Sequence, residues 1–166
     1  LYRNDGGGLS SPSAWSSVEP GYEADIAWGD VDGDGDLDLA AGGGVSRLHR
    51  NDDGVLTTGA VWSTAESDDV RSIAWGDVDG DGDLDLAVGN SGKPNRMYRN
   101  DGGMLTSSAV WSSVEKDETN SVAWGDVDGD GDLDLAVGNG DLMAEPSRLY
   151  RRDGGALASR AVWSTA

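Results

Sequence analysis

Leu84, Leu86 and Val88 alternate with Asp85 and Ala87, which places the three large side chains on one face of an extended strand. Upstream, Ser72-Ile73-Ala74-Trp75 also alternates small and large residues. Two more short runs follow, Arg96-Met97-Tyr98-Arg99 and Ala109-Val110-Trp111-Ser112. An aspartate- and glycine-rich stretch joins the first run to the second. Asn100-Asp101-Gly102-Gly103, a strong hairpin composition, joins the third to the fourth. Glycine and aspartate crowd every boundary, and nothing shows a helical period of useful length. The pattern predicts four short antiparallel strands in a meander.

The group recurs. Ala-Trp-Gly-Asp-Val-Asp-Gly-Asp-Gly-Asp-Leu-Asp-Leu-Ala is identical at 27–40, 74–87 and 123–136. A second unit, from Leu-Tyr-Arg-Asn-Asp-Gly-Gly to Ala-Val-Trp-Ser, occurs four times, marked by Tyr2, His49, Tyr98 and Tyr150 and closed by Trp15, Trp62, Trp111 and Trp163. The Tyr/His-to-Trp step is always 13 residues, as is the step from each Trp to the next acid segment at Trp28, Trp75 or Trp124. Length varies only from the acid segment to the next Tyr/His, over 21, 23 and 26 residues. Periods of this size belong to propellers and solenoids. Four-stranded antiparallel units in tandem read as an all-β chain of β-propeller blades, three and a half of them. The expected division is a half-blade at 1–17 and blades at 18–64, 65–113 and 114–166.

The acid stretch carries the chemistry. Asp30, Asp32, Asp34, Asp36 and Asp38 fall within nine residues, repeated as Asp77, Asp79, Asp81, Asp83 and Asp85 and as Asp126, Asp128, Asp130, Asp132 and Asp134. Five carboxylates so close repel one another strongly unless a cation sits among them. Acids at relative positions 1, 3, 5 and 9 with a carbonyl at 7 supply the oxygen set a hard cation needs, and glycine at position 6 (Gly35, Gly82, Gly131) permits the sharp turn. A helical EF-hand loop would need Glu at position 12, where Ala41, Val88 and Val137 stand. A solvated Asp/Gly turn explains one copy but not three in one register. Three Ca²⁺ sites are expected.

The formal charge is −19, and three divalent cations would offset only six of those charges. That balance disfavours nucleic acid and anionic membrane surfaces as partners. There is no cysteine, so disulfides play no part. No apolar run approaches a membrane span.

The units resemble the FG-GAP/VCBS repeats of integrin α-subunit-type propellers, over nearly the whole chain. That family carries a calcium loop of the form D-x-D-x-D-G-x-x-D between the first two strands of a blade. Asp30, Asp32, Asp34, Gly35 and Asp38 match it, as do the corresponding residues of the other two copies. The resemblance implies a backbone-carbonyl role for Asp36, Asp83 and Asp132. The family's Phe-Gly is Trp28-Gly29 and its copies here, and its Gly-Ala-Pro is replaced by Ala41-Gly42-Gly43, Val88-Gly89-Asn90 and Val137-Gly138-Asn139. The calcium expectation survives those departures.

The seven tryptophans fall in two repeat registers, which points to blade-to-blade packing. His49 fills a slot that holds Tyr elsewhere and reads as a packing substitute. Arg3, Arg50, Arg99 and Arg151 recur beside that slot and are expected to pair with nearby acids. No catalytic triad, cysteine nucleophile or histidine cluster can be assembled. A glycosidase pair is disfavoured, because a bound cation keeps the acids ionised. In a four-stranded meander the acid loops and Asn-Asp-Gly-Gly turns share one face. The variable connection (42–46, 89–95, 138–147) and the connection at 18–25, 65–71 and 114–120 share the other, where a protein or glycan ligand would bind.

Three functional classes follow. The favoured one is a non-enzymatic, Ca²⁺-stabilised structural or adhesion module at the cell surface or outside the cell, where millimolar calcium suits weak sites. The others are a lectin-like carbohydrate-binding propeller and an accessory domain of a secreted hydrolase. The extra half-blade leads to one more expectation: these residues do not close a self-sufficient unit but associate with further copies or further repeats.

Overall fold

The computed structural model describes residues 1–3, 13–140 and 145–165. The first Asn-Asp-Gly-Gly turn and part of the longest variable connection lie outside them. The first blade contains β1 (Glu23–Gly29), β2 (Asp38–Gly43), β3 (Arg47–His49), a small hairpin of β4 (Asn51–Asp52) and β5 (Val55–Leu56), and β6 (Trp62–Ser63). The second is β7 (Val70–Gly76), β8 (Asp85–Asn90), β9 (Arg96–Tyr98) and β10 (Trp111–Ser112). The third is β11 (Thr119–Gly125), β12 (Asp134–Asn139), β13 (Arg148–Tyr150) and β14 (Trp163–Ser164). Each blade is a four-stranded antiparallel sheet in chain order, and no helix occurs among the described residues. β7 stands between β1 and β11, so the first strands run side by side. The blades do not close a ring among the described residues.

Cross-strand register gives each blade two unlike faces. Trp75 pairs with Leu86 and Leu86 with Tyr98, while Ala74 pairs with Ala87 and Ala87 with Met97. The small-residue face of one blade receives the large-residue face of the next. Ala27, Ala40, Leu48 and Trp62 pack against Ile73, Trp75, Leu86, Val88 and Tyr98. Ala74, Ala87, Met97 and Trp111 do the same for Val122, Trp124, Leu135, Val137 and Tyr150. Each interface adds an edge-on aromatic pair, Trp62–Tyr98 at 5.5 Å and Trp111–Tyr150 at 5.4 Å, worth about 0.5–1.5 kcal/mol beyond area burial. Trp15 sits on His49 in the same way, at 5.0 Å. The indole N–H groups cross the same interfaces. Trp75 Nε1 donates to the Ala27 carbonyl (3.4 Å), Trp124 Nε1 to Ala74 (3.3 Å), and Trp62 Nε1 to Thr106 (3.2 Å).

Every residue of β8 is buried, because both of its faces meet a neighbouring blade. Three strand expectations need correction. Leu84 precedes β8 and is only half-buried; the strand starts at Asp85, whose carboxylate accepts the backbone N–H groups of Val78 (3.0 Å) and Asn100 (2.8 Å). The fourth strand is shorter than 109–112, because the Ala109 N–H turns to Glu66 Oε1 (3.2 Å) rather than to the sheet. In the first blade, moreover, the glycine turn does not lead directly into the last strand but closes its own small pair, Asn51–Leu56 and Asp52–Val55.

Candidate metal centres

Each acid loop spans the gap between the first two strands of its blade and is shaped by two glycines. Gly33 and Gly35 have φ of 74° and 97°, Gly80 and Gly82 have 81° and 99°, and Gly129 and Gly131 have 79° and 93°. Position 4 therefore requires glycine as firmly as position 6. With the backbone wound this way, loop N–H groups point at the first aspartate. Gly35 N donates to Asp30 Oδ2, Gly82 N to Asp77 Oδ2 and Gly131 N to Asp126 Oδ2, each at 3.0 Å.

The structure gathers the expected acids in two arrangements. Asp30, Asp32 and Asp34 offer oxygens within 4.8 Å of one another, as do Asp77, Asp79 and Asp81. In the third loop the groups are Asp126, Asp128 and Asp134, and Asp128, Asp130 and Asp153. Oxygens around one Ca²⁺ at 2.3–2.6 Å lie at most about 5 Å apart, so these spacings suit a single ion. The donor set is all oxygen, as a hard cation requires. Asp30 Oδ1 adds independent evidence: it is buried and accepts no hydrogen bond. An ionised oxygen left so is costly unless a cation satisfies it.

The ninth-position acids are the buried members. Asp38, Asp85 and Asp134 are almost fully enclosed, each taking one N–H from the loop and one from the strand-end residue Asn51, Asn100 or Arg152. Burial pushes the Asp85 carboxyl up to about 6; the Asn100 and Val78 N–H groups offset part of this, and the charges of Asp79 and Asp81 add to it. Burial raises Asp38 in the same sense. For Asp126, burial also acts upward, but the N–H groups of Gly129, Gly131 and Asp130 outweigh it and hold the carboxyl below its ordinary value.

Asp36, Asp83 and Asp132 stand apart. Their side chains reach out of the loop to the glycine turn, accepting from Asp53 N (2.7 Å), Gly102 N (2.6 Å) and Gly154 N. This tie puts loop and turn on one face of the blade. On the opposite face, Asp68 N donates to the Gly44 carbonyl and Gly92 N to the Asp117 carbonyl, both at 3.0 Å. The recurring arginines enter the loops: Arg50 pairs with Asp32, Arg99 with Asp79 (3.2 Å) and Arg151 with Asp128. The first loop also abuts the second blade. Fully buried Asn100 donates Nδ2–H to the Val31 carbonyl (2.8 Å), and Arg50 donates to the Gly103 carbonyl (3.0 Å).

One recurring group lies outside both repeated sequence units. Glu19, Glu66 and Glu115 each follow a tryptophan by four residues. They accept the N–H of Ala60 (2.7 Å), Ala109 (3.2 Å) and Ala161 (3.4 Å), just before the last strand of the blade each one opens. Glu66 and Glu115 also accept the hydroxyls of Tyr98 (3.1 Å) and Tyr150 (3.2 Å). His49 is buried, as its slot predicts, but its Nδ1–H turns to the Thr57 carbonyl (3.1 Å), and Glu19 Oε2 is left buried without a partner.

Tandem four-stranded blades, each with an acid loop between its first two strands, define a repeat protein of the β-propeller class. Family models agree: the FG-GAP-like repeat matches residues 39–88 and 77–137, and the FG-GAP repeat matches 119–157. The chain belongs to the FG-GAP repeat family. No curated protein matches it.

Proposed function

We propose that the chain is a non-enzymatic, extracellular repeat module in which each acid loop holds one Ca²⁺ and the blades serve a structural or adhesive role. The observation that carries this is the buried, unpartnered Asp30 Oδ1 inside a cluster of oxygens spaced for one ion. Positions 1, 3, 5 and 9 would supply carboxylates and position 7 its carbonyl, since the side chains of Asp36, Asp83 and Asp132 are committed to the neighbouring turn. The ion would supply charge compensation where each loop crowds five carboxylates. A carbohydrate-binding role calls for aromatic platforms on the variable-loop face. The exposed indoles, Trp28 and Trp163, lie on blade faces instead.

Calorimetric titration of calcium into metal-free protein tests the proposal. Three equivalents are expected, falling by one in Asp81→Ala while the loops at Asp30 and Asp126 still bind. Absence of calcium-dependent heat and of any change in intrinsic fluorescence would refute it.

A further inference from the structure

The third blade exposes the small-residue face that the first two blades bury. Val31 and Val78 are 1% and 3% accessible, whereas their counterpart Val127 is 59% accessible. The glycines show the same contrast. A Cβ on Gly76 would meet Trp124 Cδ1 at 2.7 Å and one on Gly29 would meet Trp75 at 3.0 Å, yet nothing lies within 4 Å of Gly125. Gly89 is crowded by Val122 Cγ1 at 2.7 Å, while the nearest atom to Gly138 belongs to its own sheet, at 3.6 Å. Ser72 Oγ accepts the next blade's Val122 N–H (3.3 Å), and its counterpart Ser121 is exposed. Ser121, Ala123, Val127, Ala136 and Gly138 line an apolar recess bordered by Trp163. It is a tryptophan-accepting surface without its tryptophan.

The first blade presents the complement. Trp28 and Ile26 are 41% and 56% accessible, although Trp75 and Ile73, in the same register, fill the recess at Gly29 and Gly42. We propose that the third-blade face docks the first-blade face of a second copy of this chain, head to tail. The occupant follows from continuity with two interfaces already present, which use the same residues in the same register. Trp28 of the second copy enters at Gly125 and Ile26 enters at Gly138. The outer half of the first-blade face is held within its own chain by Trp15, which stacks on His49 and donates to the Thr57 carbonyl (3.2 Å). Trp163 is the repeat equivalent of Trp15 and takes its place on docking. The surfaces are unlike, so association is heterologous and adds copies in one direction.

Sedimentation velocity in calcium over a concentration series tests this with two face-specific variants. Ala136→Arg places a charge on the exposed third-blade face, and Ile26→Arg places one on the exposed first-blade face. Both residues are accessible in the single chain, and circular dichroism and melting check that each variant folds. Wild type is expected to associate progressively with concentration. Each variant alone should stay monomeric, and an equimolar mixture should form a heterodimer that grows no further. Trp15→Ala should shift wild type towards the associated state. A wild type that stays monomeric throughout overturns the proposal. So does either variant associating alone, since that assigns the contact to another surface or to like faces, and so does a mixture that fails to pair.

Discussion

Gly76→Ala and Gly125→Ala place the same methyl group at the same repeat position in two different surroundings. At Gly76 the new Cβ would lie 2.7 Å from Trp124 Cδ1 and 2.9 Å from its Cγ. That ring is anchored by its N–H to the Ala74 carbonyl and sits in the interblade core, so it cannot swing aside as the tip of a flexible chain would. Overpacking of this kind costs about 1–3 kcal/mol. Replacing glycine stiffens the unfolded chain and returns about 0.4–1 kcal/mol. The net loss is up to about 2.6 kcal/mol, centred on about 1.3 kcal/mol, or a Tm lowered by up to roughly 10 °C for a chain of this size. At Gly125 nothing lies within 4 Å, so only the favourable term remains and stability should hold or rise slightly. Gly29→Ala, with its closest contacts at 3.0 Å, should fall between them. Urea unfolding in calcium, at concentrations where light scattering reports monomer, measures all three. Equal losses at Gly76 and Gly125, or a larger loss at Gly125, would refute the assignment of these glycines to the blade-to-blade contact.

Two further outcomes follow from the Glu–Tyr pairs. His49→Tyr should raise the Tm, because the hydroxyl would reach the unpartnered Glu19 Oε2 as Tyr98 reaches Glu66; a lowered Tm would show that the His49–Thr57 bond matters more. Burial acts to raise the Glu66 carboxyl, but the Ala109 N–H, its own N–H, the Tyr98 hydroxyl and the Arg96 charge outweigh it and hold it below its ordinary 4.5. Its stabilising contribution is therefore complete above that value and is lost as pH falls through the lowered one. Unfolding measured across the acid range should lose part of its pH dependence in Glu66→Gln, and an unchanged slope would contradict the assignment.

Much of this architecture is legible in the sequence because the repeats are nearly identical. Trp28, Trp75 and Trp124 fix the register, and the acid loops announce themselves by spacing. What was not legible depends on neighbours. Trp28 and Trp75 have the same local sequence, but only Trp75 is received by a preceding small-residue face. The burial of both faces of β8 follows from stacking between blades, which alternation within one strand does not register. Asp36 stands apart in the sequence only by its place at position 7, and only the fold brings the Asp53 N–H to its carboxylate. Glu19, Glu66 and Glu115 were visible as a recurrence four residues after tryptophan, but their partners lie more than 40 residues further along the chain. His49 was rightly placed as a packing substitute. That it leaves an acid oxygen unpartnered emerges only in three dimensions.

Thermal melting of one preparation, first in millimolar calcium and then after chelation, tests most directly whether calcium in the loops holds the blades together. With dissociation constants between the free calcium concentration and a tenth of it, each loop contributes about 0.4–1.4 kcal/mol. Three loops together contribute about 1–4 kcal/mol, so chelation should lower the Tm by roughly 3–15 °C, and restored calcium should reverse the change. A Tm that does not move on chelation, in protein verified to be metal-free, would contradict it.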